Sequence, residues 1–249
     1  KPFNVASVSP QIVDPETTSV LLTSTVKYNS STTTKSSDTL KSEIITAITN
    51  YNTNTLQKFD SIYRHSKLTG IIDNVDNSIL SNITTVKIRK TFTPTLGSSQ
   101  KYNIYFRNAV FNPHSGHNMA AGGILSSTGF KVTGSDFEMF LDDDGSGNVR
   151  RYYLSSGIRT YANESQGTID YTTGQITLNS LNVASISNIR GATSTTIELT
   201  VTPNSNDIVP VRDQIIEIDT SNSTITVETD SFVGGSADAG VGYTTTSSY

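Results

Sequence analysis

The stretch SVLLTSTVKY, at residues 19–28, decides the first part of the fold. Its side chains alternate between an apolar set and a mostly polar set, and this period of two is typical of a β-strand with one buried face. The apolar set consists of Val20, Leu22, Val26 and Tyr28. The sequence therefore predicts a strand that packs one face against other elements.

Helical periodicity follows this strand, after a polar turn at residues 29–35. Ser36, Ser37 and Asp38 are candidate N-caps, because their side-chain oxygens can accept hydrogen bonds from the N–H groups of a first helical turn. Apolar residues then recur at spacings of three and four, which predicts helices near 40–51, 56–63 and 68–75. An alternating strand near 86–92 completes the unit. The predicted core consists of Leu40, Ile44, Ile48, Leu56, Phe59, Leu68, Ile72, Val86 and Ile88.

From residue 94 onward, short strand-like runs separated by turn residues replace the helical pattern. Plausible hairpin turns are Asp144-Gly145, Thr173-Gly174 and Ser221-Asn222. The predicted fold class is α+β, a small sheet with helices on one face, followed by a predominantly antiparallel β domain that forms a barrel or sandwich. We expect an extended leading segment at 1–16, an α+β domain at 17–93, an all-β domain at 94–230 and a Gly/Ser/Thr-rich tail at 231–249.

The composition excludes several classes of protein. The 249 residues carry a formal charge of −4, and they include 34 Ser, 37 Thr and no Cys. A nucleic-acid binder of the usual kind needs a surplus of Lys and Arg, and a membrane-spanning helix needs about 18 consecutive apolar residues. Neither is found, so we predict no nucleic-acid or membrane partner. Because the chain begins at Lys1, we expect it to be a fragment of a longer protein.

The acidic run DDDGSGNV, at residues 142–149, is the first candidate site. On a calcium-binding loop, Asp142, Asp144 and Ser146 take ligand positions one, three and five, and Gly147 lies at the sharp turn. Position twelve is Tyr153, where a bidentate Glu is needed. The run is therefore a weak metal candidate, and we favour an acidic β-turn whose Asp side chains bond their own backbone.

No other pattern predicts chemistry. His114 and His117 lie three residues apart, but no third ligand stands near them, so a solvated loop is favoured over a metal site. His65 is expected on a helix surface. Motifs for a nucleophilic serine, a phosphate-binding loop or a zinc protease are missing from the sequence. We predict no enzyme and no cofactor.

The order of the parts is similar to that of a known family. The resemblance rests on residues 19–28, on the helical run 40–51, and on two spaced patterns in the helical block. These patterns are Leu56-x-x-Phe59-x-x-x-Tyr63-Arg64-x-Ser66-x-Leu68 and Ile72-Asp73-x-x-Asp76-x-Ser78-Ile79-x-Ser81-Asn82. Residues 167–176 and 209–215 add weaker support. Together they resemble the baseplate J-like family, and more closely the C-terminal part of the large baseplate wedge proteins of contractile-tailed, T-even-like bacteriophages.

The resemblance implies a structural protein of the virion tail baseplate, assembled in the host cytoplasm. Wedge proteins of this family pair about a twofold axis, contact other wedge proteins, and join neighbouring wedges into a ring around the hub that rearranges when the tail contracts. The resemblance supplies no catalytic or cofactor residues. The alternative is a calcium-assisted adhesin or carbohydrate-binding β domain, and a third hypothesis is a glycan-cleaving enzyme with two carboxylates in one cleft.

If the chain forms a homodimer, an open sheet edge in the β half is the expected contact, because an unpaired edge is a template for another strand. The candidate interface residues are Ile216, Ile218, Ile225 and Val227.

Overall fold

The computed structural model describes residues 16–115, 123–211 and 214–230. These residues form two sheets and two α-helices. In chain order the elements are β1 Glu16–Tyr28, α1 Ser37–Tyr51, a π-helical turn Asn52–Leu56, α2 His65–Asp73, β2 Ile79–Phe92, β3 Ser99–Tyr105, β4 Ser126–Ser127, β5 Phe130–Val132, β6 Met139–Asp143, β7 Asn148–Ser155, β8 Ile158–Asp170, β9 Gln175–Ile186, β10 Ile197–Val201, β11 Gln214–Ile218 and β12 Thr224–Thr229. No helix among the described residues has the length and apolar character needed to cross a membrane.

The first sheet has β1 and β2 at its centre, paired antiparallel. β10 lies antiparallel on the far side of β2, and β4 adds a short strand beyond it. β11 and β12 both lie on the other side of β1, and both run parallel to it. This sheet is therefore built from both ends of the described chain.

The turn at Ser221-Asn222 does not form the hairpin that the sequence predicts. β11 pairs with residues 16–20 of β1 and β12 pairs with residues 23–28, in the same direction. The two are thus successive segments of one edge strand. Between them β1 advances by two residues while the edge chain uses five, 219–223, so the edge chain bulges outward.

Both helices pack on the face of the first sheet that carries Val20 and Leu22. Ser36 caps α1, because its Oγ accepts a hydrogen bond from the Thr39 N–H at 3.2 Å. The apolar side chains that recur every three or four residues face the sheet and are fully buried. The buried members of the predicted core are Leu40, Ile44, Ile48, Leu56, Leu68, Ile72, Val86 and Ile88.

Phe59 corrects the predicted core, since 59% of its surface is exposed. The sequence predicts a second helix through Leu56, Phe59 and Tyr63, but α1 continues only into the π-helical turn. The chain then turns at Asp60, whose φ of 60° is left-handed. Beyond Leu56 the helical spacing therefore no longer places successive apolar residues on one face. Tyr63 is buried by a different route, as the partner of Ile208 in an isolated bridge.

The second sheet is antiparallel, in the order β3-β9-β5-β6-β7-β8. It closes on itself because β9 pairs with β8 through its first half and with β5 through its second. Gly167 of β8 lies opposite Leu178 of β9. A Cβ atom at this position would lie 2.0 Å from the Thr177 carbonyl oxygen, so only glycine fits.

The predicted boundary at residue 93 does not coincide with the division between the sheets. β4, β10, β11 and β12 come from the segment predicted as a separate all-β domain, yet they belong to the first sheet. One buried apolar cluster runs through both sheets, from Val20 and Ile88 to Phe130 and Leu178. Of the two predicted terminal segments, residues 1–15 and 231–249 lie outside the described residues, and Glu16 begins β1.

Candidate functional site

The acidic run forms the end of β6 and the turn into β7. Gly145 and Gly147 adopt φ values of 72° and 105°, which only glycine takes at little cost. The turn that the sequence predicts at Asp144-Gly145 therefore joins two antiparallel strands. It places Asp142 directly opposite Arg150 in the strand register.

The Asp144 side chain holds the turn together. Its Oδ1 accepts hydrogen bonds from the backbone N–H groups of Ser146 at 2.7 Å and Asn148 at 2.9 Å, and its Oδ2 accepts one from Asn148 Nδ2 at 2.6 Å. Partial burial by itself would raise the pKa of Asp144, but these hydrogen bonds outweigh burial and hold the pKa below its ordinary value. The carboxylate is thus engaged by its own turn.

Asp142 is buried, at 1% exposure, and faces cationic side chains. Its Oδ1 lies 2.9 Å from Arg150 Nε, and its Oδ2 lies 2.7 Å from Arg159 Nη1 and 3.0 Å from the Tyr161 hydroxyl. The buried carboxylate is therefore compensated by two guanidinium groups, as a buried charge requires.

Aromatic rings on the same face of the sheet complete this cluster. The guanidinium of Arg150 stacks over the Tyr161 ring at 4.3 Å, and that of Arg159 stacks over Tyr152 at 4.7 Å. Phe140 packs on the other side, with 5.7 Å between its ring centroid and that of Tyr152. Burial, together with the nearby Asp142 carboxylate, raises the pKa of Tyr161, so its hydroxyl stays protonated as a donor.

The Asp143 side chain points to the face of the sheet opposite Asp142 and is fully buried. Its Oδ1 accepts the backbone N–H groups of Ile124 at 2.7 Å and Leu125 at 2.9 Å, and its Oδ2 accepts the Tyr171 hydroxyl at 2.7 Å. Burial and the Asp143 charge raise the pKa of Tyr171. Asp143 thus ties the chain before β4 to the turn between β8 and β9.

The three residues of the weak metal candidate do not converge on one point. Asp142 faces two arginines, Asp144 bonds its own turn, and the Ser146 hydroxyl lies 3.4 Å from Ser115 Oγ. In the described part of the chain, no three or more His, Asp or Glu side chains come together as a metal-binding group. Guanidinium groups beside Asp142 also oppose a cation electrostatically.

The histidines lie apart. His65 begins α2, where its backbone N–H donates to Asp207 Oδ1 at 2.9 Å, and His114 Nδ1 lies 3.2 Å from the Ser115 carbonyl oxygen. His117 is outside the described residues.

The local sequence pattern does not predict the other members of this cluster, which are Asp143, Arg150, Arg159, Tyr161 and Tyr171. One of these contacts could have been predicted from the sequence. In a hairpin around the predicted Asp144-Gly145 turn, Asp142 pairs with Arg150. The remaining contacts come from β8 and from the segment before β4, whose positions the local pattern does not specify.

The predicted interface side chains lie mainly in the core. Ile216, Ile218 and Ile225 are at most 4% exposed, and Val227 packs partly buried against the same apolar cluster. The edge that carries them belongs to the first sheet. Their side chains therefore stabilise the fold, and only the backbone groups of this edge are available to hydrogen-bond to a further strand.

Comparison with known proteins matches residues 18–91 to the family model described as baseplate structural protein gp6, C-terminal domain III. The matched segment runs from β1 through both helices to the end of β2 and covers less than a third of the chain. No curated protein matches the sequence.

Proposed function

We propose that this chain is a structural component of a phage tail baseplate and that it acts through protein contacts. The observation that carries the proposal is the family match over residues 18–91. The matched residues contribute β1, β2, α1 and α2, and these elements share one buried core. The similarity therefore covers a set of elements that pack on one another and is not confined to an isolated motif.

The finer proposal is that the chain is part of a baseplate J-like wedge protein. It joins neighbouring wedges into the ring around the hub and accommodates the rearrangement of that ring on contraction. The virion tail baseplate is its location, after assembly in the host cytoplasm. The charged cluster around Asp142 supports a contact role without catalysis, because its polar groups are engaged with one another.

Co-assembly tests this proposal. The purified chain is mixed with the other wedge proteins of the same baseplate, and the products are separated by size and imaged by electron microscopy. We expect the chain to co-purify with them and to appear at the junctions between wedges. If wedges assemble and close into rings equally well without the chain, and none of it co-purifies, the proposal is wrong.

A homodimer about a twofold axis is part of the same proposal. The face of the first sheet opposite the helices, here called the outer face, carries alternate residues of β1 and β2 from Thr17 to Lys27 and from Ile83 to Arg89. It carries four threonines and three basic residues, and Ile83, at the end of this face where it pairs with Thr25, is 71% exposed. Polar, hydroxyl-rich surfaces suit an interface that must stay soluble before assembly.

The substitution Ile83→Arg tests this surface. In an isologous dimer the same patch occurs on both partners, so a new charge on the outer face is introduced twice and repels its copy. We expect light scattering to show a dimer at micromolar concentration and the variant to be largely monomeric. Phe59→Arg, at an apolar residue that is similarly exposed but lies elsewhere, is the matched control and leaves the dimer intact. A monomeric wild-type chain at every concentration tested contradicts the homodimer.

We propose no second function. The adhesin alternative depends on calcium at the acidic run, and the side-chain oxygens there already accept hydrogen bonds or ion pairs.

A further inference from the structure

A pair of polar side chains lies buried between β1 and β11. Thr18 stands two residues before Val20 on the buried face of β1, and Gln214 begins β11. Both side chains are fully buried, although they are 196 residues apart in the sequence. The two strands run parallel, with Gln214 opposite Glu16, so the Thr18 and Gln214 side chains meet across neighbouring strands.

The Thr18 hydroxyl is in direct contact with the Gln214 carboxamide. Gln214 Nε2 donates a hydrogen bond to Thr18 Oγ1. The carbonyl oxygen of the same carboxamide, Oε1, accepts the Val211 N–H at 3.1 Å, which fixes the orientation of the amide. An N–H group that donates to a carbonyl oxygen also stabilises the negative charge that develops there when a nucleophile adds to the adjacent carbon. A hydroxyl therefore lies beside a polarised carboxamide in a buried site.

An ion pair borders this contact. Lys90 Nζ lies 2.7 Å from Glu16 Oε1 and 3.0 Å from the carbonyl oxygen of Thr17, the residue next to Thr18. Lys90 is buried, and the other oxygen of Glu16, Oε2, lies 3.1 Å from Arg107 Nε. A carboxylate and an ammonium group held together can accept a proton from one atom and deliver a proton to another.

We propose that Thr18 and Gln214 form an intramolecular ester bond that joins β1 to β11 covalently. Thr18 Oγ1 attacks the side-chain carbon Cδ of Gln214, and the new C–O bond forms as the Cδ–Nε2 bond breaks. Glu16 accepts the hydroxyl proton, and Lys90 gives a proton to the leaving nitrogen, which departs as ammonia. The proton on Glu16 then returns to Lys90. No electrons are transferred, so the reaction needs no oxidant and no cofactor.

The fold supplies the conditions that this reaction needs. Folding brings the two groups together, so the reaction is intramolecular and requires no encounter between separate molecules. Burial of both side chains then keeps water away from the finished ester and protects it from hydrolysis. The chain contains no Cys, so a disulfide is not available to join these strands. The ester closes the chain between residues 18 and 214 and holds β11 to β1 at the edge of the first sheet.

Mass spectrometry of the denatured full chain tests the proposal. We expect the intact mass to be lower than that of the sequence by the mass of one ammonia molecule. Trypsin, which cuts after Lys27 and Arg212, should release residues 1–27 and 213–249 as one linked species. Hydroxylamine cleaves esters and leaves amides intact, so it should separate the two peptides. A wild-type chain with the full sequence mass overturns the proposal, and so does a link that resists hydroxylamine, as an amide formed by Lys90 would.

Substitutions at Thr18 identify the nucleophile. Thr18→Val removes the hydroxyl with little change of shape, and the whole sample should then have the full sequence mass. Thr18→Ser keeps a hydroxyl and should still lose ammonia, which separates loss of the nucleophile from a failure to fold. The matched control is Thr84→Val, at another buried threonine whose Oγ1 lies 2.8 Å from Ser24 Oγ, and it should lose ammonia like the wild type. Loss of ammonia that persists in Thr18→Val overturns the proposal.

Glu16→Gln tests the route of the proton. A carboxamide of the same size cannot accept the hydroxyl proton, so ester formation should slow by about 100-fold or more. The ester fraction is followed by intact mass in samples taken at intervals after protein synthesis is induced. Glu228→Gln, which removes a carboxylate that pairs with Lys27, is the control and should form the ester at the wild-type rate. An ester that forms equally fast in Glu16→Gln contradicts the proton transfer assigned to Glu16.

Discussion

Individual side chains of similar apolar character differ sharply in burial around the π-helical turn. Leu56 is fully buried between the helices and the sheet, whereas Phe59, three residues later, is 59% exposed. Truncation of a buried side chain loses its transfer free energy and leaves a cavity, but truncation at the surface does neither.

This contrast predicts different costs for two matched substitutions. Leu56→Ala should lower the free energy of unfolding by about 2–5 kcal/mol, and Phe59→Ala should change it by less than about 1 kcal/mol. Denaturant unfolding of both variants beside the wild type measures the difference. Equal losses at the two positions would show that Phe59 is packed in solution.

The acidic residues at the end of β6 make a second prediction at this scale. Because Asp142 and Asp144 are engaged by arginines and by their own turn, calcium has no convergent carboxylates to bind. Millimolar calcium should therefore shift the melting temperature by no more than about two degrees relative to chelator. A larger shift that chelator reverses would restore the adhesin hypothesis.

Among the structural elements, the edge strand shows how a bulge is stabilised by one carboxylate. Asp219 accepts hydrogen bonds from the Asn222 backbone N–H at 3.1 Å and from Asn222 Nδ2 at 2.6 Å, and it pairs with Arg89 of β2. Partial burial would raise the pKa of Asp219, but Asn222 and the Arg89 guanidinium outweigh it and hold the pKa below its ordinary value.

Because the pKa of Asp219 is lowered in the folded state, the sign of its effect on the pH dependence of folding stability can be predicted. A carboxyl group with a folded-state pKa below the unfolded value of about 3.9 stabilises the fold above that pH, and the stabilisation is lost as the pH falls through the folded pKa. Asp219→Asn should therefore be less stable than the wild type at pH 7, and the difference should shrink below about pH 4. Urea unfolding across this range measures it. Asp136→Asn, at an exposed loop, is the control, and a difference between wild type and Asp219→Asn that stays constant with pH would contradict the assignment.

At the scale of the whole molecule, the two sheets share one core and the first sheet draws strands from both ends of the described chain. β10 covers one side of β2, and β11 and β12 cover one side of β1. The apolar cluster continues from these strands into the second sheet. The strands of the second sheet all come from residues 99–186, whereas the first sheet has no complete set of strand neighbours within residues 17–93.

This architecture predicts that the chain unfolds as one unit. A fragment limited to residues 17–93 should not fold alone, because its sheet would lose β4, β10, β11 and β12. The full chain should show a single calorimetric transition whose enthalpy equals the van 't Hoff enthalpy. Cooperative melting of the fragment would instead support the domain boundary predicted at residue 93.

What the sequence determined by itself is local. The alternation at residues 19–28 specifies β1, the spacings of three and four specify the buried faces of α1 and α2, and two glycine turns specify the hairpins at Asp144-Gly145 and Thr173-Gly174. Each of these depends on residues within a few positions of one another.

Only the tertiary structure decided which distant segments meet. The Ser221-Asn222 segment has the composition of a hairpin turn. The strands on either side of it, β11 and β12, nevertheless both pair parallel with β1 along the same edge, and this long-range pairing outweighs the local preference. In the same way, the sequence of the acidic run is compatible with binding either an ion or arginine side chains. The position of β8 decides between the two, because it brings Arg159 to Asp142. Local periodicity specifies the face that a residue presents, whereas its partner is selected by the packing of the whole chain.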